Sequence, residues 1–295
     1  MPADRVPVHV SVLPVEALAL LRPQVGETWV DCTVGGGGHT RMIAEHVGPQ
    51  GRVIGLDQDP NMLALARERL KGLPVELVHA NFDQLGEVLA ARKVGPVDGV
   101  FADLGFSSDQ LAEKARGLSF RDDGPLDMRL DPTSGATAAD MVNTMSEAGL
   151  ADVFWEFGEE RHSRRVAKKI VARREVQPFA TTADLAGVVR SCVPRSGSID
   201  PATRVFQALR IAVNDELGSL DRLLALLPAI LKPGGRAGII SFHSLEDRRV
   251  KHAFRLETTW QPVTKKPVEA GDEETARNPR ARSAKLRAAT RIVQS

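Results

Sequence analysis

Between residues 28 and 103, short apolar runs alternate with amphipathic segments. The apolar runs predict strands over residues 28–33, 52–57, 75–79 and 97–103. Helical spacing predicts helices over 39–47 and 59–70, and Asp59-Pro60 is a typical cap and first-position pair for the second helix. The segment 9–21 is predicted to begin extended and to become helical. This alternation favours a doubly wound α/β fold with a parallel sheet.

After Asp103 a long helical stretch interrupts the alternation. The next run that predicts a strand is 236–241, directly after a Lys-Pro-Gly-Gly turn. A βαβ crossover needs only about 30 residues, so the excess indicates an insertion. Its helical periodicity covers residues 148–157, 159–174, 182–193 and 201–217. We therefore predict three segments: sheet-domain residues 1–110, an inserted helical domain at 111–203, and sheet-domain residues 204–295. The last segment should contain a helix capped by Ser244 and a strand over 286–293.

Four consecutive glycines follow the first predicted strand, and Asp57 ends the second. Glycines let a ligand approach the backbone, the next helix offers unpaired N–H groups, and an acidic residue at this position can bind ribose hydroxyls. A dinucleotide site would need a third glycine at position 40 or 41, where the chain has threonine and arginine; a P-loop motif is also absent. The spacing of Asp31, Gly35 and Gly37 instead resembles the first motif of class I S-adenosylmethionine (SAM) methyltransferases. The simpler alternative is a flexible turn.

Composition narrows the class of protein. The 295 residues, 42% hydrophobic and 26% charged, are typical of a soluble globular protein. A net charge of +1 requires any nucleic-acid site to come from local clusters. No apolar run approaches the roughly 20 residues that span a bilayer, and the N-terminus lacks a signal core. Cys32 and Cys192 are far apart, which argues against a disulfide framework or metal site and favours a cytoplasmic location.

Two local clusters of basic residues could contact phosphates. The first, on the predicted helix 159–174, contains Arg161, Arg164, Arg165, Lys168, Lys169, Arg173 and Arg174. The second contains Arg277, Arg280, Arg282, Lys285, Arg287 and Arg291. A solvated helix face would show the same pattern as the first cluster, but two clusters in a near-neutral chain favour RNA as a partner.

The longer motifs resemble the bacterial 16S rRNA cytosine-N(4)-methyltransferase family, known as RsmH or MraW, over nearly the whole chain. They are HVSVL (9–13), GGGGHT (35–40), DLGFSSDQL (103–111), RGLSF (116–120), DGPLDMRLDP (123–132), GEER (158–161), PATRVFQALRIAVNDEL (201–217), ISFHSLEDR (240–248) and NPRARSAKLR (278–287). The resemblance implies a class I methyltransferase fold with an inserted helical domain that recognises the substrate. It implies SAM as cofactor and methylation of the exocyclic 4-amino group of a cytidine in the decoding region of 16S rRNA, with the small ribosomal subunit as the expected substrate. It leaves monomer and homodimer open.

The resemblance places the cofactor contacts on Gly37, Gly38, His39, Asp57, Phe82, Asp103 and Gln110. Asp57 would bind the ribose hydroxyls and Phe82 the adenine face, although Phe82 could equally be a core residue. His39 could contact the cofactor or only support the following helix. Gln110, taken alone, is a polar loop residue.

Asp103 is the candidate catalytic residue. The exocyclic amine of cytosine is a poor nucleophile, so direct methyl transfer needs an acceptor that holds its N–H group and orients its lone pair. Many amino-methyltransferases have an Asp/Asn-Pro-Pro-aromatic turn after this strand, whereas this chain has Asp103-Leu104-Gly105-Phe106. Asp103 could serve the cofactor, the amine or both, and Phe106 could stack on a flipped base or pack in the core.

Several alternatives stay open. Asp127 and Arg129 could line a cytidine pocket or form an internal ion pair, and His243 could enter that pocket or be a buried structural histidine. The rival functions are a DNA amino-methyltransferase, a SAM-binding ribosome-assembly protein and, less favoured by the glycine spacing, a nicotinamide oxidoreductase.

Overall fold

The computed structural model describes residues 10–195 and 199–293, so the predicted start at His9 lies outside the described residues. The described chain divides into two units. The sheet unit consists of residues 10–107 and 217–293, and the helical unit of residues 108–195 and 199–216. The helical unit thus extends beyond the predicted 111–203, because the helix after Pro201 packs its apolar side into the core of that unit.

The sheet unit is built on a seven-stranded sheet with the order β3-β2-β1-β4-β5-β7-β6. The first five strands pair in parallel, and β7 is antiparallel to both β5 and β6. This order confirms the doubly wound, class I methyltransferase fold. The strands are β1 (Thr28–Asp31), β2 (Arg52–Asp57), β3 (Val75–His79), β4 (Val97–Asp103), β5 (Leu231–Ser241), β6 (Trp260–Pro262) and β7 (Lys285–Arg291).

Helices cover the sheet and form most of the second unit. Those of the sheet unit are α1 (Pro14–Leu21), α2 (Gly38–Val47), α3 (Pro60–Arg69), α4 (Leu85–Ala91), α11 (Glu216–Ile230, whose first residue belongs to the helical unit), α12 (Ser244–Ala253) and α13 (Asp272–Arg277). Those of the helical unit are α5 (Ser108–Ala112), α6 (Ala138–Thr144), α7 (Glu147–Glu156), α8 (Ser163–Arg174), α9 (Thr182–Cys192) and α10 (Ala202–Val213). Among the described residues, every helix is too short or too polar to cross a bilayer.

Both faces of the sheet are buried, as a parallel sheet requires. Adjacent residues of β1 point to opposite sides: Trp29 packs in the cluster beneath α1 and α2, and Val30 in the cluster with α4, α11 and α12. The apolar runs that predicted the strands therefore reflect burial on two sides.

The Lys-Pro-Gly-Gly segment differs from its prediction. It was expected as a turn before the fifth strand, yet it lies inside β5, where Leu231 pairs with Val97 and Arg236 with Gly99. The residues between these pairs form a bulge, and Gly234 accommodates it with a φ of 79°. The short strand β6 was not predicted, because three residues are too few to show a periodicity.

Gly99 makes room for the indole ring of Trp29. A Cβ atom at position 99 would lie 2.4 Å from that ring, which is fully buried. We expect Gly99→Ala to destabilise the protein by about 1–3 kcal/mol through overpacking, measured as a lower midpoint of thermal unfolding. Gly95→Ala is the matched control, because a Cβ there meets no atom within 4 Å. Equal midpoints for the two variants would contradict this account.

Candidate functional site

Three carboxylates end neighbouring strands at one edge of the sheet. Asp31 ends β1, Asp57 ends β2 and Asp103 ends β4. Because β1 pairs in parallel with both β2 and β4, these carboxyl ends meet at the same edge. The strand order reverses there between β1 and β4, and ligands of doubly wound sheets bind at such a switch point.

Asp57 joins the glycine loop to the loop after β2. Its Oδ2 accepts a 2.7 Å hydrogen bond from the Gly35 backbone N–H, and its Oδ1 accepts a 2.8 Å bond from the Asp59 N–H. The side chain is only partly enclosed, but its burial raises the pKa of Asp57 to about 6. Each carboxylate oxygen has capacity for a second hydrogen bond, so both can also receive hydroxyl donors.

The glycine loop needs glycine for two reasons: the backbone conformation at some positions and the lack of space for a side chain at others. Gly35 and Gly37 have φ values of 50° and 84°, a region that favours glycine. A Cβ on Gly35 would meet open space, whereas one on Gly37 would press on Leu70, and one on Gly38 would lie 2.0 Å from the Ser11 Oγ. Gly38 begins α2, whose first N–H groups have no partner within the helix and favour an anionic group.

Ser11 belongs to an N-terminal strap, residues 10–13, that lies against the glycine loop. Residues from the C-terminal part of the chain hold this strap: Glu274 Oε1 accepts a 2.8 Å bond from the Leu13 N–H, and the Asn278 side-chain amide donates to the Val10 carbonyl at 3.2 Å. The loop is therefore braced from outside the strand–helix unit that contains it.

His39 links the strap to Asp103. Its Nε2 lies 2.9 Å from the Val12 carbonyl oxygen, and its Nδ1 lies 3.6 Å from Asp103 Oδ2. The ring is buried and its centroid is 4.6 Å from that of Phe101. These contacts fit one of the two roles predicted for His39, in which it supports the surrounding structure. Direct contact of His39 with a cofactor stays a prediction.

Asp103 has a buried oxygen, Oδ1, with no hydrogen-bond partner among the described residues. Burial raises the pKa of Asp103 to about 8; the positive charge of Arg280 opposes that increase, and Asp31 and Glu246 add to it. A buried carboxylate oxygen without a partner is costly, so this atom is suited to a donor that a ligand supplies.

The other two predicted cofactor residues lie in different surroundings. Phe82 is half-buried in a short 3₁₀ helix, Phe82–Gln84, and packs against the hydrophobic core, which was its alternative interpretation. Gln110 is buried in α5 of the helical unit. Six of the seven predicted residues therefore belong to the sheet unit, and Gln110 does not.

Two further candidates, Asp127 and Arg129, pair with each other, and a third, His243, precedes α12. Arg129 and Asp127 form a two-point ion pair, with Nη2 to Oδ2 at 2.7 Å and Nε to Oδ1 at 2.8 Å, as one of the two predictions stated. The expected Ser244 cap is wrong: the cap residue of α12 is His243, whose Nε2 lies 3.2 Å from Glu246 Oε1. The chain turns into α12 one residue earlier because Glu246 also accepts the Phe242 N–H at 2.8 Å.

Several members of the two basic clusters bond to other groups of the protein, so fewer of them are exposed than the sequence predicts. In the first, Arg174 donates to the Val142 and Met145 carbonyls and Arg173 to Gln177. The exposed members are Arg161, Arg164, Arg165, Lys168 and Lys169. In the second, Arg287 pairs with Asp247 at 2.7 Å and Arg291 donates to the Leu231 carbonyl.

The sequence prediction missed two polar partners of the site. Thr40 Oγ1 donates to Asp31 Oδ2 at 2.6 Å, and Thr33 Oγ1 accepts the Asp103 N–H at 2.6 Å. Both threonines flank the glycines, where they resemble ordinary loop and helix residues. Their roles become visible only in the structure, where Thr40 holds the Asp31 carboxylate at the end of β1 and Thr33 holds the Asp103 backbone at the end of β4.

The chain is similar to known proteins along almost its full length. The MraW methylase family model matches residues 7–292. The ribosomal RNA small subunit methyltransferase H of Sorangium cellulosum (strain So ce56) is 52% identical over 99% of this chain and 93% of its own. The proteins of that name from Geotalea uraniireducens (strain Rf4) and Acaryochloris marina (strain MBIC 11017) are 47% and 51% identical, over 96% of this chain and 98% and 94% of their own.

Proposed function

The chain belongs to the MraW methylase family, and from that premise we propose that it transfers a methyl group from SAM to the exocyclic 4-amino group of a cytidine in 16S rRNA. The names of its relatives support small-subunit rRNA as the substrate. The single observation that carries the chemistry is the buried, unpartnered oxygen of Asp103 at the sheet edge that also holds the glycine loop and Asp57.

The residues of this edge fit SAM. Asp57 has hydrogen-bonding capacity for the ribose hydroxyls, Gly35 borders open space, and the start of α2 favours a carboxylate. When bound, SAM supplies an electrophilic methyl group. Phe82 and Gln110 are the proposed contacts for the remainder of the cofactor.

Asp103 would act on the amine. Its Oδ1 can accept a hydrogen bond from one N–H of the cytosine amine, which orients the nitrogen lone pair away from the carboxylate. After the nitrogen has bonded to the methyl carbon it carries an extra proton, and the same oxygen can take that proton up. Its raised pKa of about 8 suits a group that must accept a proton near neutrality.

The exposed face of α8 is the proposed RNA-binding surface. We expect the triple variant Arg164→Gln/Arg165→Gln/Lys168→Gln to bind 16S rRNA more weakly, with a log–log salt dependence shallower by about 2 to 3, because each lost phosphate contact removes released counterions. Filter binding at several salt concentrations measures both. The control removes three exposed lysines elsewhere, Lys71, Lys265 and Lys266. The same loss in both triple variants would show a net-charge effect and contradict a specific surface.

The function is tested by incubating the protein with labelled SAM and with 30S subunits, naked 16S rRNA or DNA. Labelled RNA, with the methyl group mapped by mass spectrometry to N4 of one cytidine, is the expected result. Label in DNA alone would favour a DNA amino-methyltransferase. SAM binding without label in any nucleic acid would favour the assembly-protein alternative and overturn the enzyme proposal.

A further inference from the structure

Arg280 lies in a short, well-anchored 3₁₀ helix, Pro279–Ser283, in the sheet unit. Ala281 within it is fully buried, and the preceding Asn278 is the residue that holds the Val10 carbonyl. The backbone that carries Arg280 is therefore fixed. This arginine was grouped with possible phosphate ligands from its sequence, but the residue is partly buried and its guanidinium lies over the rings of Phe106 and Phe242.

The guanidinium of Arg280 contacts the loops after two adjacent strands. Nη2 donates to the Phe106 carbonyl oxygen, and Cζ lies 5.6 Å from the centroid of the Phe106 ring. It also lies 5.9 Å from the ring of Phe242, which directly follows β5. Planar guanidinium groups bind in this way to carbonyls and aromatic faces at once, which a lysine cannot reproduce.

The turn that Arg280 contacts has little rigidity of its own. Prolines fix φ, but the turn Asp103–Phe106 has leucine and glycine where many amino-methyltransferases have two prolines. Gly105 adopts a φ of 99°, which glycine reaches readily but leaves just as readily. Within this segment, the Leu104 N–H bond to the Ile240 carbonyl, at 2.9 Å, ties the start of the turn to β5. Arg280 ties its other end.

We propose that Arg280 is a positioning residue for methyl transfer: it braces the proline-free active-site turn through Phe106, and its positive charge favours the acceptor form of Asp103. The proposal rests on the proposed function for its kinetic part. The bracing itself can be measured without any substrate.

The charge of Arg280 acts on a carboxylate that several groups face. His39 Nδ1 approaches Asp103 from α2 at 3.6 Å, and the negative charges of Asp31 on β1 and Glu246 on α12 oppose its ionisation. Arg280 lowers the pKa of Asp103 against burial and these two carboxylates. Removing the positive charge therefore raises that pKa, and the pH needed for an ionised Asp103 rises with it.

The test compares Arg280→Gln, Arg280→Lys and the control Arg255→Gln, an exposed arginine after α12. We expect Arg280→Gln to lower kcat about 10- to 100-fold, since small misplacements of a reacting group have effects of that size. The acidic limb of its kcat–pH profile should move to higher pH, because the positive charge that lowers the pKa of Asp103 is gone. Amide exchange in residues 104–107, measured by mass spectrometry without substrate, should be at least about tenfold faster. Arg280→Lys should show the faster exchange and the lower kcat, but a nearly unshifted acidic limb.

Other outcomes overturn the proposal. Wild-type kcat and exchange in Arg280→Gln, with a raised KM for RNA and a shallower salt dependence, would make Arg280 a phosphate ligand. If Arg280→Gln does not fold, as shown by thermal unfolding, wild-type exchange and kcat in Arg280→Lys would equally refute the brace. If the wild-type protein labels no nucleic acid, the proposed function fails, while the exchange measurement still decides whether Arg280 braces the turn.

Discussion

Asp103→Asn is expected to reduce the rate of methyl transfer by about 10²- to 10⁴-fold, the range that positioned proton acceptors contribute. An amide keeps the shape of the side chain but cannot take up the amine proton. The measurement is single-turnover transfer from saturating labelled SAM to the RNA substrate. Near wild-type turnover would refute the role of Asp103.

Thermal unfolding separates this loss from misfolding. Burial holds the pKa of folded Asp103 at about 8, above its ordinary 3.8, so its contribution to stability is full below pH 3.8 and is lost as pH rises toward 8. The neutral Asn variant is therefore expected to unfold at or above the wild-type midpoint at pH 8. Asp98→Asn is the matched control. Asp98 lies near the start of the same strand, accepts the Thr28 N–H at 2.9 Å and pairs with Lys232 at 2.8 Å, away from the site edge, so its removal should leave transfer unchanged.

Asp57→Ala is expected to weaken SAM binding by about 10- to 100-fold, because hydrogen bonds to a charged group each contribute about 1.5–3 kcal/mol. The variant has no carboxylate to accept hydrogen bonds from the ribose. It also leaves the Gly35 and Asp59 N–H groups without their acceptor, which loosens the glycine loop. Isothermal titration calorimetry measures the affinity. Asp98→Ala, which also removes a carboxylate that accepts a backbone N–H, controls for a general loss of stability. Unchanged affinity in Asp57→Ala would remove this residue from the cofactor site.

The parallel sheet and the meeting of its acidic strand ends at one edge could be predicted because they depend on local patterns. A strand buried on both faces leaves a continuous apolar run, and the acidic residues that end β1, β2 and β4 are visible directly after those runs. The Lys-Pro-Gly-Gly bulge could not be foreseen, since proline and glycine are typical of a turn as well. Its register depends on pairing with β4, far away in the sequence.

The roles of single side chains at the site were harder to predict, because they depend on contacts distant in the sequence. Arg280 reaches Phe106 across 174 positions, and its basic neighbours in the sequence made it look like a phosphate ligand. Arg174 looked like part of a basic helix face, yet it satisfies two carbonyls of its own unit. An arginine that stabilises the fold and an arginine that binds a polyanion are identical in the sequence. Only the position of nearby hydrogen-bond acceptors in the structure distinguishes them.

The N-terminal strap has a consequence for biosynthesis. Residues 10–13 lie on Gly38 and His39, but Glu274 and Asn278 hold them there. A ribosome synthesises the glycine loop early and those two anchors only after more than two hundred further residues. During that interval a nascent chain can pair β1 with β2, yet its glycine loop lacks the contacts that residues 10–13 provide when they are anchored. We therefore expect the glycine loop to reach its final conformation late in synthesis, once residue 278 has left the exit tunnel.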